Sequence, residues 1–153
     1  MSDTNRTSDR RLAPHLSRLR HSWPQAWISE ECDGGGKHLV AVPGFLLPKG
    51  WNATICTALW LARVSYRHDR VESHFDGFWV DLPDLRLADG RIPHYSRGTY
   101  DLYFGGRSEP YIPEFPHWKD LTHFWWKAQM WDPNTDNIYT HAMLVRQRLR
   151  MVQ

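Results

Sequence analysis

Residues 53–65, reading Ala-Thr-Ile-Cys-Thr-Ala-Leu-Trp-Leu-Ala-Arg-Val-Ser, leave few folds open to this chain. In an extended backbone, Ile55, Leu59 and Leu61 fall on one side, and Cys56, Ala58, Trp60, Ala62 and Val64 on the other. Both sides are largely apolar, which predicts a central strand covered on both faces. Before it runs Lys37-His38-Leu39-Val40-Ala41-Val42, and after it Phe78-Trp79-Val80. Each run is rich in β-branched or aromatic residues and bounded by Pro, Gly, Asn or Asp, the pattern of consecutive antiparallel strands. Pro43-Gly44 predicts a bulge or bend. Pro48-Lys49-Gly50-Trp51-Asn52 predicts a turn in which Gly50 supplies a positive φ. Residues 66–76 are polar and read as a surface loop.

The flanks read differently. Residues 1–8 are polar and expected to be a disordered tail, leaving 9–153 as a single domain. Residues 9–22 place Leu12, Leu16 and Leu19 on one helical face, with Pro14 in the tolerant first turn. Residues 23–32 predict a first strand, turned by Asp33-Gly34-Gly35-Gly36 into the second. Residues 84–94 form an extended arm and 100–106 a short strand, and 107–118 are too Pro-broken for helix or ladder. Helix-like sequence returns at 120–130. A final helix is expected from Asp132-Pro133, with Ile138, Ala142, Val145, Leu149 and Val152 as its apolar stripe. The predicted class is α+β: an N-terminal helix, a four-stranded antiparallel meander, an extended arm, then C-terminal helices.

Charge is placed unevenly. The chain of 153 residues carries a net +2, but residues 1–22 hold five Arg against two Asp, and 138–153 hold three Arg and no acid. Basic ends suit an acidic protein or a nucleic acid. No aromatic or Gly-rich binding motif accompanies these arginines, so solvated helix faces are expected and a nucleic-acid-binding module is an alternative only. The start lacks an apolar core and no run is long enough to cross a membrane, so a cytoplasmic protein is expected.

Chemistry-bearing residues are sparse. There is no nucleophile elbow, dinucleotide fingerprint, P-loop or zincin motif, and no cofactor is expected. His68, Asp69, His74 and Asp76 match no standard ligand spacing, so no metal is expected. His117 and His123 are acid–base candidates for a His-based or metal-dependent hydrolase, the second alternative. Cys56 reads as an inert core thiol. Cys32 sits beside a Gly turn, with Glu30, Glu31 and Asp33 expected to blunt its nucleophilicity.

Four segments, in order, resemble prokaryotic family E of the ubiquitin-conjugating (UBC-like) superfamily. Gly44-Phe45-Leu46-Leu47-Pro48-Lys49-Gly50-Trp51-Asn52 is similar to its "gf-LP-GyN" opening. Asp76-Gly77-Phe78-Trp79-Val80 through Leu85 resembles its following strand, and Asp89-Gly90-Arg91-Ile92-Pro93 its "dG--P" arm. Trp131-Asp132-Pro133-Asn134-Thr135-Asp136 with Thr140-His141 resembles the entrance to its final helix. The resemblance spans roughly residues 25–150 and implies a UBC-like fold. It also implies a place in a bacterial ubiquitin-like conjugation system, beside a ubiquitin-like modifier, its activating enzyme and a JAB-type isopeptidase.

The chain departs from that pattern where the chemistry would be. A conjugating enzyme carries its modifier on a Cys after the fourth strand, yet residues 84–153 contain none. His-Pro-Asn is missing, Tyr66-Arg67 stands where the family has Tyr-Pro, and Lys127 where it has His. The resemblance therefore implies a binding role toward the modifier or its activating enzyme. Cys32 and His123 remain as catalytic candidates. The expected contact surface is the aromatic stretch 111–131, with Tyr111, Phe115, Trp118, Trp125, Trp126 and Trp131.

Overall fold

The structure is a computed structural model, and it describes residues 7–31, 36–65, 67, 69–72, 78–83, 85–91, 102–107, 121–126 and 136–151. The element order is α1 (Ala13–Ser22), β1 (Trp27–Ile28), β2 (Lys37–Leu46), β3 (Ile55–Ser65), β4 (Arg70–Glu72), β5 (Phe78–Val80), β6 (Leu102–Arg107), β7 (Thr122–Trp126) and α2 (Ile138–Met151). All strands pair antiparallel in one seven-stranded sheet ordered β1-β2-β3-β5-β7-β6, with β4 also on β3. The class is thus α+β, with a helix before an antiparallel sheet and a helix after it.

β3 is the central strand, and its sides divide as its alternation predicts. Cys56, Ala58, Trp60, Ala62 and Val64 join the large core with Leu12, Leu16 and Leu19 of α1 and Ile138, Ala142, Val145 and Leu149 of α2. Leu59 joins Leu39, Ala41, Trp79 and Leu121 in a smaller cluster. Both helices therefore lie over the same face of the sheet. The bulge at Pro43-Gly44 has a clear consequence. Val42 pairs with Ala58 and Phe45 with Cys56, so β2 gains one residue on β3 between them. Without it, Val42 and Phe45 would point to opposite faces; with it, both enter the core under the helices. Gly44 takes φ +76°, and a Cβ there would meet nothing within 4 Å, so glycine is needed for backbone conformation and not for space. Gly50 likewise has a positive φ of 108° in the β2–β3 turn.

Several expectations need correction. Among the described residues the sheet has seven strands, not a four-stranded meander. Residues 70–72 of the expected loop pair with β3 through Val71 on Val64. The expected first strand shortens to Trp27–Ile28. The helix-like stretch 120–130 contains a strand instead: Thr122, His123 and Phe124 pair with β5, and β6 closes the other side. Thr and consecutive aromatics favour a pleated surface, and two partner strands outweigh the helix-prone residues that follow. One C-terminal helix is present among the described residues, and it opens at Ile138. Its cap is Asn137, whose side-chain oxygen accepts the Thr140 N–H at 2.9 Å while the Thr140 hydroxyl accepts the Asn137 N–H. The predicted start at Asp132-Pro133 lies outside the described residues. Thr7 and Ser8, assigned to the tail, are tied down: the Ser8 N–H donates to Glu30 at 2.9 Å.

Candidate functional site

Only one of the two thiols lies within the described residues. Cys56 is buried in β3, among the core under the helices. Burial, helped by the nearby Asp81 carboxylate, pushes its thiol far above the usual range, so it stays protonated and inert. Cys32 lies outside the described residues. So do Tyr111, Phe115, Trp118 and Trp131 of the expected aromatic surface, together with His68, His74, Asp76 and His117. Trp125 and Trp126 fall in β7.

Two histidines lie against tryptophans, one on each side of the sheet. His123 lies 4.7 Å from Trp79, ring centre to ring centre, with planes 19° apart. It is buried beside the smaller cluster. A general acid or base must reach a substrate proton, and this ring faces aromatic packing instead. His141 packs against Trp60 at 4.9 Å with planes tilted by 38°, between α2 and β3. Complete burial holds its imidazole well below the ordinary pKa, hence neutral. Among the described residues, no group of three or more His, Cys, Asp or Glu side chains could hold a metal ion.

The helical layer is where unspent chemistry gathers. The two basic ends of the chain, far apart in sequence, meet there. Neither α1 nor α2 contains an acid, whereas α1 carries Arg18 and Arg20, and α2 carries Arg146, Arg148 and Arg150. The helices are joined at α2's first turn. The Ile138 N–H donates to His15 Nδ1 at 3.1 Å, and the Tyr139 ring sits under Arg18, 5.1 Å from Cζ to ring centre. Trp23 also packs against Tyr139, ring centres 5.9 Å apart and planes tilted by 43°. A shallow groove of about 620 Å³ follows this junction, lined by Pro14, Ser17, Arg18, His21, Ser22 and Tyr139.

The arginines of the ends have different fates. Arg11 clamps Asp9 through Nε and Nη2 at 2.9 and 2.8 Å and reaches Asp69 at 3.1 Å. Arg10 takes both Asp69 oxygens. Arg20 donates to the Ala26 carbonyl. Arg148 is fully buried in the layer, against the expectation of a solvated face. Its place one heptad after His141 on the inward side was the available signal. Among the described residues, Arg18, Arg146 and Arg150 form no ion pair, and Arg146 Nε is shielded from solvent without a hydrogen-bond acceptor.

No protein-family model, curated protein or solved structure matches this chain. No helix among the described residues is long and apolar enough to cross a membrane.

Proposed function

We propose that this chain is a UBC-like binding protein of a bacterial ubiquitin-like conjugation system, one that holds the modifier or its activating enzyme without carrying a thioester. The four motif segments support the kinship, and a helix before and after an antiparallel sheet is compatible with it. The observation that carries the non-catalytic part is the setting of Cys56. The thiol sits in the central strand, buried and kept protonated, on a face closed by two helices. A carrier thiol needs the opposite: an open, polar setting that favours thiolate.

The test is incubation with an activating enzyme, ATP and a ubiquitin-like modifier from one operon, followed by non-reducing electrophoresis and calorimetric binding. No thiol-sensitive adduct should form, and the chain should bind the modifier or the activating enzyme. An adduct abolished by Cys32→Ser would replace the binding role with an enzymatic one. Absence of binding to both proteins would remove the chain from the pathway.

A further inference from the structure

We propose that the stripe Arg18–Tyr139–Met143–Arg146–Arg150 is a docking face for an acidic polypeptide carrying aliphatic side chains. The inference stands apart from the conjugation reading and holds whichever pathway the protein serves.

The stripe follows from helix geometry. Tyr139, Met143, Arg146 and Arg150 recur at spacings of four, three and four, so they share one side of α2. Ile138, Ala142, Val145 and Leu149 occupy the buried side. α1 extends the stripe by laying Arg18 over the Tyr139 ring. Met143 is 40% exposed, one of the few large apolar side chains left open among the described residues.

Charge decides the occupant. Arg10, Arg11 and Arg91 already hold carboxylates within the chain. Among the described residues, Arg18, Arg146 and Arg150 hold none, and their helices offer no acid to neutralise them. A partner supplying carboxylates would complete charge-assisted hydrogen bonds that the fold leaves unmade. Arg, Tyr and Met are also the residues enriched in protein interfaces, while Lys, Asp and Glu, all missing from both helices, are depleted there. The apolar centre at Tyr139 and Met143 argues for a polypeptide over a nucleic acid. A phosphate backbone is held by a continuous basic track and gains little from an exposed thioether.

The probe is a short fluorescein-labelled peptide of glutamates with two leucines one helical turn apart, titrated with the full chain and read by anisotropy. Controls are the same peptide with serines for leucines, and a labelled oligonucleotide of equal charge. Saturable binding to the leucine peptide is expected. Arg150→Glu and Arg18→Glu should each weaken it about tenfold. Met143→Ser should weaken it several-fold, toward the affinity of the serine peptide. Arg63→Glu, an exposed arginine on β3, should leave it unchanged. Circular dichroism checks that each variant folds. Absence of binding, equal loss with Arg63→Glu, or tighter binding of the oligonucleotide would overturn the proposal. So would self-association of the chain that Arg150→Glu abolishes, since the face would then belong to a second copy.

Discussion

Asp9 is held by more donors than its place near the chain start would suggest. Its Oδ1 accepts the Arg11 N–H and Nε, both at 2.9 Å, and its Oδ2 accepts Nη2 at 2.8 Å. The two side chains are only 13% and 18% exposed. The Arg11 guanidinium, through its hydrogen bonds, holds the Asp9 carboxyl below the ordinary carboxylate range. A depressed folded-state pKa means that the unfolded chain binds more protons in acid. The pair's stabilisation is therefore complete above the ordinary carboxylate pKa and is lost as pH falls through the lower folded one. Between about pH 5 and pH 2, denaturant midpoints of the native chain should fall more steeply than those of Asp9→Asn. At pH 7 that variant should be less stable by about 1–2 kcal/mol. Asp89, paired with Arg91 on the surface, also has a lowered pKa. Asp89→Asn should flatten the profile less, because solvent screens that pair. Parallel profiles for the native chain and Asp9→Asn would refute the assignment.

The start of α2 shows how one element can depend on another's protonation. The Ile138 N–H has no acceptor within its own helix and finds one in the half-buried His15 of α1. The bond needs a lone pair on Nδ1, and burial lowers the His15 pKa, which keeps that lone pair free. A lowered His pKa again means that the unfolded state takes up protons first. The contribution is complete above about pH 6.5 and fades as pH drops below it. Amide exchange at Ile138, corrected for its intrinsic pH dependence, should lose protection between about pH 7 and 5, and His15→Ala should make it pH-independent.

How legible these elements are from sequence follows from the same physics. β2, β3 and the bulge between Val42 and Phe45 could be read directly, because alternation and Pro43-Gly44 act within a few residues. The aromatic strand β7 could not. Its identity depends on β5 and β6, which no local window contains. The Asn137 cap of α2 could not be singled out from sequence, because Asp132-Pro133 offers similar chemistry five residues earlier. The joining of two basic termini was invisible for the same reason: it is set by the sheet that both helices cover. Of the site residues, the inertness of Cys56 followed from its apolar neighbours, while the burial of Arg148 needed the tertiary fold.

At the scale of the molecule, the first and last described elements close the core together. The Trp51 Nε1–H donates to the Leu149 carbonyl at 3.0 Å, and its ring meets Phe124 edge-on at 5.9 Å. One side chain thus joins the β2–β3 turn, β7 and the last turn of α2. α2 also brings His141 onto Trp60 and inserts Ile138, Ala142, Val145 and Leu149, all fully buried. Fully burying each large aliphatic side chain stabilises by about 1.5–3 kcal/mol. Ile138, Val145 and Leu149 alone then match much of the roughly 5–15 kcal/mol that separates a folded domain from its unfolded chain. The sheet side that α2 covers, including fully buried Trp60 and Phe124, cannot face water without a comparable penalty. A chain ending at Asn137 should therefore lose its cooperative thermal transition and bind a hydrophobic dye. Leu149→Ala in the full chain should keep the transition and lower stability by about 2–5 kcal/mol. Calorimetry separates the two outcomes: a truncated chain that still melts in one sharp transition would show that α1 and the sheet suffice. If the helix is required, α1 must wait during synthesis for α2 to emerge, because the layer that buries Leu12, Leu16 and Leu19 is completed by that helix.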